Sequence, residues 1–131
     1  MERLTTRITM RLMTGDDRSR DLDVDWSYRD DEPHATELDF TSYQPNAVWS
    51  LSRDLLLAGL HAPTGEGDVH VTPFDDAHVL IALAGTEGVA LLAAPAAAVA
   101  RFLARTVRLV PPGREHERID WDRGLHDLLA A

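Results

Sequence analysis

The chain has 131 residues, no cysteine and a formal net charge of −9 at pH 7. This length suits one domain with a single hydrophobic core, and we expect one domain over residues 1–131. The absence of cysteine excludes disulfide bonds and thiolate metal or redox sites. No apolar run reaches the roughly 18 residues of a membrane span, and the amino-terminal residues lack a secretory signal, which favours the cytoplasm.

Charge is unevenly distributed along this acidic chain. Residues 16–41 hold ten acids and three arginines, whereas residues 95–118 hold five arginines and two glutamates. A general nucleic-acid binder depends on attraction to phosphates, so the net charge disfavours that class of protein. The region after residue 95 is therefore the basic part of an acidic protein.

Alternation of polar and apolar residues predicts two strands at the start of the chain. Residues 4–12 alternate apolar side chains with arginine and threonine, and residues 22–28 alternate them mainly with aspartate. A turn signal, Gly15-Asp16-Asp17, lies between them. In a hairpin, the arginine column would face the aspartate column, and such cross-strand pairs favour one register.

Two further strands and a short helix are predicted next. The third strand points Thr36, Leu38 and Phe40 inward, and the fourth covers residues 47–51. Ser52 is suited to cap a helix over residues 53–60.

The second half repeats the order of strands followed by a helix. Alternation around residues 69–72 and apolar runs at 78–84 and 89–93 predict three strands. Pro95 suits the first turn of a helix that reaches about Arg108. The inward stripe expected on this helix consists of Val99, Phe102, Leu103 and Thr106.

Residues after Arg108 predict a stop and one more helix. Pro111-Pro112-Gly113 ends the preceding helix, and the last helix begins at Asp120 or Asp122. Its buried side would carry Trp121, Leu125, Leu128 and Leu129. Together these elements predict an α+β fold with two mainly antiparallel β-sheet layers and packed helices.

Residues 59–73, GLHAPTGEGDVHVTP, are rich in glycine, proline, histidine and acids. The stretch lacks the lysine of a phosphate loop and the third glycine of a dinucleotide fingerprint. Gly59 suits a helix end, and residues 65–67 suit a tight turn into the next strand. We interpret the stretch as a structural turn, with partner docking by its exposed loop as the alternative.

Histidine and acidic side chains near this stretch suggest the hypothesis of a metal-dependent hydrolase. The candidate ligands are His61, His70, His78, Asp75 and Asp76. Their spacing matches no recognised ligand pattern. Four acids in residues 21–32 fit EF-hand positions, but Trp26 stands where that loop requires glycine. Serine and zinc hydrolase signatures are missing, so we predict no catalytic residue, no metal and no cofactor.

A series of short motifs runs through most of the chain. They include Trp49, Ser-Arg-Asp-Leu-Leu at 52–56, Pro-Thr-Gly-x-Gly-Asp-Val at 63–69 and Val-Pro-Pro-Gly at 110–113. In order and spacing, these motifs resemble the actinobacterial SsgA-like family of sporulation and cell division regulators. The chain departs from the family pattern at Leu51, where an aromatic residue is common, and at His34 and residues 37–39, a variable stretch.

The resemblance implies a fold similar to the Whirly-type single-stranded nucleic-acid binders and homo-oligomers such as trimers. It implies a non-enzymatic protein that helps bring the tubulin-like division protein FtsZ to septum sites, together with SsgA-like paralogues and membrane-associated division proteins. We therefore expect a cytoplasmic regulator at the septum that meets the membrane only indirectly. A Whirly-like binder of single-stranded nucleic acid is the alternative, disfavoured by the negative charge.

Two local features supply the candidate partner-binding residues. Arg101, Arg105 and Arg108 lie at i, i+4 and i+7, on one helix face where they can meet an acidic partner. A merely solvated face is the alternative. Gly113 follows two prolines, and it either permits close partner contact or only supplies a backbone conformation that other residues resist.

Overall fold

The computed structural model describes residues 2–14 and 18–118, in which the chain forms eight strands and two α-helices. The strands are β1 (Arg3–Met13), β2 (Ser19–Arg29), β3 (Ala35–Asp39), β4 (Val48–Ser52), β5 (Thr64–Glu66), β6 (Val69–Pro73), β7 (His78–Gly85) and β8 (Gly88–Pro95). The helices are α1 (Arg53–Gly59) and α2 (Ala96–Leu109), and a 3-10 turn spans Glu115–Arg118. The predicted turn at Gly15-Asp16-Asp17 and the predicted last helix, from Asp120 or Asp122 onward, lie outside the described residues.

The predicted first hairpin is confirmed by the pairing of β1 with β2. Arg7 lies opposite Asp25 and Arg11 opposite Asp21, with Nε to Oδ1 distances of 3.0 and 3.4 Å. Successive side chains alternate between the two faces of a strand. The charged ladder therefore covers the outer face, and the apolar residues of both strands lie on the inner face.

All eight described strands belong to one antiparallel sheet, in the order β4-β3-β2-β1-β8-β7-β6-β5. The α+β class is confirmed, but the prediction of two sheet layers is wrong. β1 pairs with β2 along one edge and, through residues 11–13, with β8 along the other. The two four-strand halves are thereby hydrogen-bonded into a single sheet. Periodicity locates strands but does not show which edges meet, and this is why the sequence suggested separate layers.

Both helices contribute to one hydrophobic cluster with the inner face of the sheet. The Ser52 side chain caps α1 as predicted, accepting a hydrogen bond from the Leu55 N–H at 3.2 Å. The predicted inward stripe of α2 is confirmed, because Val99, Phe102 and Leu103 are buried together with Thr106. Each buried apolar side chain of this size contributes about 1.5–3 kcal/mol. The stripe therefore fixes which face of α2 points outward.

Residues 59–73 carry the chain from α1 into the β5–β6 hairpin, in agreement with the structural interpretation. α1 ends at Gly59, as predicted, and Gly67 forms the turn with a φ of +58°, a conformation that favours glycine. A side chain at Gly59 would collide with Val71, so the missing side chain lets α1 lie against β6. β5 is the one described strand that the sequence did not predict.

Candidate docking surface

α2 presents a row of three arginines away from the core. Arg101, Arg105 and Arg108, which we call the arginine face, are exposed opposite the buried stripe. The buried side is anchored by Phe102, whose ring meets the Trp26 ring edge-on at a centroid distance of 6.1 Å. The structure thus places all three arginines on one exposed helix face, as predicted. Their role in binding stays a prediction.

The charges of the arginine face are not neutralised within the described part of the chain. No described residue forms an ion pair with Arg101, Arg105 or Arg108. On β1, by contrast, Arg7 and Arg11 are paired with aspartates of β2. Among the described residues, the three positive charges of the arginine face therefore have no ion-pair partner.

A buried arginine fixes the end of the same helix. Arg53, the first residue of α1, is only 1% exposed. Its Nη1 donates to the carbonyl oxygens of Thr106, at 3.1 Å, and Val110, at 2.7 Å. These carbonyls lie at the carboxyl end of α2, and the Thr106 oxygen also accepts a hydrogen bond from the Val110 N–H at 2.8 Å. The guanidinium also lies 5.3 Å from the centre of the Tyr28 ring, within cation–π range, so Arg53 joins both helices to β2.

The same guanidinium positions the Gly113 corner, which we define as residues 111–115. Nη2 of Arg53 donates to Oε1 of Glu115 at 2.9 Å, and Oε2 of Glu115 accepts from the Gly113 N–H at 2.8 Å. Gly113 is exposed with a φ of +88°, and a Cβ atom there would meet no described atom within 4 Å. The corner is therefore shaped from inside by Arg53 and Glu115 and is open on the outside.

Glu115 is buried, and its carboxylate is stabilised in the charged form. A hydrogen bond with its own backbone N–H is the largest cause that lowers the pKa of the Glu115 carboxyl, and the bonds from Arg53 and Gly113 lower it further. Burial acts in the opposite direction. The net pKa lies below the ordinary value, so the Arg53–Glu115 ion pair is intact at neutral pH.

Sequence analysis assigned no role to Arg53 or Glu115. Arg53 entered only as the start of a predicted helix and as part of a family-like motif. The position of Arg53 beside Leu55 and Leu56 could have indicated a buried arginine, because both leucines of this short helix are buried. Its partner Glu115 lies 62 positions away, and no spacing rule links residues so far apart.

The structure brings together only two of the five candidate metal ligands. Nδ1 of His78 lies 2.8 Å from Oδ1 of Asp75. The pKa of Asp75 is lowered, chiefly because its carboxylate accepts from the Ala77 N–H and then because it bonds His78. Among residues 2–14 and 18–118, no group of three or more potential metal ligands is found. The Asp75–His78 pair stabilises the turn between β6 and β7.

The fold and this surface define a class of α+β protein. Two helices pack against the inner face of one antiparallel sheet, and one of these helices presents a basic face to solvent. Within the described ranges, no helix is both long and apolar enough to cross a membrane. A family model described as the Streptomyces sporulation and cell division protein SsgA matches residues 22–115. The chain belongs to this family of sporulation and cell division proteins.

Similar proteins are also named as sporulation and cell division proteins. The sporulation-specific cell division protein SsgB of Streptomyces coelicolor is 40% identical over 131 residues, covering 97% of this chain and 96% of that protein. The SsgB of Kineococcus radiotolerans is 38% identical over 128 residues, covering 94% of this chain and 78% of that protein. Both names denote cell division proteins rather than enzymes.

Two solved structures share the fold. One, from work that correlates mutations in SsgB with longitudinal cell division during sporulation of Streptomyces coelicolor, has a TM-score of 0.84 and 38% identity, covering 90% of this chain and 96% of that chain. An SsgA-like sporulation-specific cell division protein from Thermobifida fusca has a TM-score of 0.83 and 32% identity, covering 96% of this chain and 95% of that chain. The likeness to Whirly-type proteins stays a prediction.

Proposed function

We propose that this chain is a non-enzymatic adaptor of cell division and sporulation, which acts in the cytoplasm at the septum and helps position or recruit FtsZ there. Membership of the sporulation and cell division family supports the process, and the resemblance drawn from the motifs supplies FtsZ as the partner. SsgA-like paralogues and further copies of the chain are its other expected partners. Contact with the membrane would then be indirect, through division proteins.

The observation that carries the docking proposal is the exposed arginine face, which forms no ion pair with any described residue, on a chain of net charge −9. Exposed charges steer association with a surface of opposite sign and add more to the association rate than to the final affinity. The partner surface is therefore acidic, and binding should weaken as salt screens the attraction.

The Gly113 corner extends this surface. Arg108 lies in the last turn of α2, and the corner begins two residues after the helix ends. Because the space around Gly113 is open, a partner backbone can approach it closely. We infer that the arginine face attracts the partner and that the corner contributes a close contact.

The test replaces Arg101, Arg105 and Arg108 by glutamate and measures association with purified FtsZ at low and physiological salt. We expect association to slow strongly and to lose much of its salt dependence, because the steering charges are reversed. The matched control replaces the same three residues by lysine, which keeps the charges and should keep association close to wild type. If the folded glutamate variant binds FtsZ and localises to septa like wild type, the arginine face is only solvated, and residues 64–68 become the next candidate.

A second variant tests the corner separately. Gly113→Tyr should disturb the septal localisation of a fluorescent fusion while circular dichroism shows a largely intact fold. Unchanged localisation of this variant would assign Gly113 a purely conformational role.

The nucleic-acid alternative predicts a different result. A single-stranded nucleic-acid binder should bind DNA or RNA in the nanomolar range at physiological salt, with a steep salt dependence. We expect no such binding, because the net charge is −9 and the arginines at positions 7 and 11 are already paired with aspartates. Tight binding of this kind would replace the adaptor proposal.

A further inference from the structure

The largest cavity among the described residues is a cleft of about 780 Å³ at one end of the inner face of the sheet. Neither α1 nor α2 contributes a lining residue, so the two helices leave this end of the inner face uncovered. The floor is apolar and consists of Leu12, Leu22, Phe40, Trp49, Leu83 and Leu92. Concave, mostly apolar clefts of this volume are typical of small-molecule sites.

A single arginine interrupts the apolar series on the inner face of β2. Alternation along this strand places Arg20 on the same face as Leu22, Val24 and Trp26. The other charged residues of β2 all have odd numbers and therefore face outward. Arg20 is exposed and lines the cleft, so it presents a positive charge beside the apolar floor.

The guanidinium of Arg20 is positioned by an aromatic ring rather than by a carboxylate. Its Cζ lies over the Tyr43 ring, 5.4 Å from the ring centre and within cation–π range. The Tyr43 hydroxyl accepts a hydrogen bond from the Asp23 N–H at 2.6 Å, which fixes the ring. No described residue forms an ion pair with Arg20. A guanidinium that lies over an aromatic face keeps its N–H groups for a planar anion such as a carboxylate.

Glu87 is the one acidic residue among the described residues that line the cleft. In the register of the sheet, Arg20 lies opposite Leu12, and Leu12 lies opposite Leu92. Two strand spacings, about 10 Å, therefore separate Arg20 from Leu92, and the start of β8 lies about 13 Å further along that strand. Glu87 precedes β8, so its backbone lies at a different end of the cleft from Arg20. An anionic group bound at Arg20 is therefore remote from this acid.

We propose that the cleft binds a small amphiphile, a molecule with an apolar chain and an anionic headgroup. The chain lies on the apolar floor, and a carboxylate or similar headgroup pairs with the guanidinium of Arg20. Burial of the chain supplies most of the affinity, and the pair with Arg20 selects the sign of the headgroup. The concave shape favours a small molecule over a protein surface, which needs a broader contact area. The site uses neither the arginine face nor the Gly113 corner, so it does not depend on binding to FtsZ.

The first test is calorimetric titration of the full chain with three amphiphiles that share a decyl chain and differ in headgroup charge. They are decanoate, decyl maltoside and decyltrimethylammonium, each used below its micelle concentration. We expect one decanoate to bind per chain, and the cationic amphiphile to bind at least about tenfold more weakly. Octanoate, which has two methylenes fewer, should bind roughly fifteenfold more weakly than decanoate, at about fourfold per methylene.

The second test uses variants of the headgroup site and of the floor. Arg20→Leu should weaken decanoate binding about tenfold and leave decyl maltoside binding unchanged, because only the charged headgroup uses the guanidinium. Arg105→Leu is the matched control, since it removes an exposed arginine from α2, outside the cleft, and should bind decanoate like wild type. Ala90→Phe fills the cleft and should abolish binding of both amphiphiles, whereas Ala84→Phe, at a β7 position that does not line the cleft, should not.

The outcomes that overturn the inference are distinct from one another. They are absence of decanoate binding, equal binding of all three headgroups, and wild-type decanoate binding by Arg20→Leu that circular dichroism shows to be folded. Binding to phosphatidylglycerol vesicles without binding of monomeric decanoate would assign the cleft to a membrane surface instead, and failure of every probe would leave it to a segment of another protein. Arg20→Leu should bind FtsZ like wild type, so failure of this inference leaves the proposed adaptor role untouched.

Discussion

Arg53, the first residue of α1, is buried against the end of α2, whereas the three arginines of the arginine face are exposed on α2 itself. Arg53 is buried, and carbonyl oxygens, an aromatic ring and the Glu115 carboxylate surround its charge. The arginines of the exposed face have no ion-pair partner in residues 2–14 and 18–118. One arginine is bonded inside the fold, and three are exposed on its surface.

The difference teaches how one residue type can serve stability and recognition separately. A buried charge is tolerated only with matched partners, and removal of one partner leaves the other uncompensated. An exposed charge adds little to stability, so an exposed arginine can be substituted with little effect on folding. The two sets of arginines should respond differently to the same substitution.

The largest effect is expected for Arg53→Leu. This change leaves Glu115 buried without its cation and removes the Nη1 donor from the carbonyls of Thr106 and Val110, so the free energy of unfolding should fall by about 3–5 kcal/mol. Urea denaturation measures the change. Arg105→Leu, on the exposed face of α2, is the control and should unfold close to wild type; equal losses in the two variants would remove the distinction.

Glu115→Gln should have a smaller, pH-dependent effect. At pH 7 the loss of the charged hydrogen bond to Arg53 should lower the free energy of unfolding by about 1–3 kcal/mol. The folded pKa of Glu115 is below its unfolded value, so the stabilisation is present above the ordinary value of 4.5 and is lost as the pH falls through the folded pKa.

Denaturation of wild type and Glu115→Gln over a pH series measures this dependence. The difference between the two proteins should shrink in acid. A difference that stayed constant from pH 7 down to the acid limit of folding would mean that the Glu115 charge has no role.

Gly113→Ala should cost about 1–2 kcal/mol through backbone strain alone, because a φ of +88° is unfavourable for a residue with a side chain. No steric clash adds to this cost. Denaturation curves of Gly113→Ala in wild type and in Glu115→Gln form a double-mutant cycle. Coupling between them is expected, since Glu115 accepts from the Gly113 N–H; strictly additive effects would separate the glycine from the ion pair.

The smallest effect is expected for Arg11→Ala. Both side chains of the Arg11–Asp21 ion pair are exposed to solvent. The denaturation midpoint should therefore move only slightly, and less still at high salt. This variant sharpens the comparison because it tests an arginine that is paired yet exposed. A loss as large as that of Arg53→Leu would show that pairing, rather than burial, decides the contribution.

Much of the fold followed from local patterns in the sequence. Strict alternation predicted β1 and β2 and the facing of Arg7 with Asp25, because a strand repeats every two residues. The capping serine and the apolar stripe likewise predicted α1 and α2 to within a residue or two. β5 was missed because three residues containing a glycine carry no periodic signal.

The candidate site was predictable only on its exposed side. The i, i+4, i+7 spacing was enough to place the arginine face on one side of α2. The buried support of the Gly113 corner joins Arg53 to residues 53 to 62 positions away, and these contacts depend on how helices and sheet pack. Local propensity contains no information about such contacts, so Arg53 and Glu115 were not assigned.

The short ladder between β1 and β8 has a consequence for the order of folding. Every other pair of described strands joins strands that are consecutive in the chain, whereas Arg11 and Ala93 lie 82 positions apart. Closure of such a long loop has the largest entropic cost and slows the step that requires it. Each half can therefore form hairpins early, and docking of the two halves along residues 11–13 is the contact we expect to be absent or weak in the transition state.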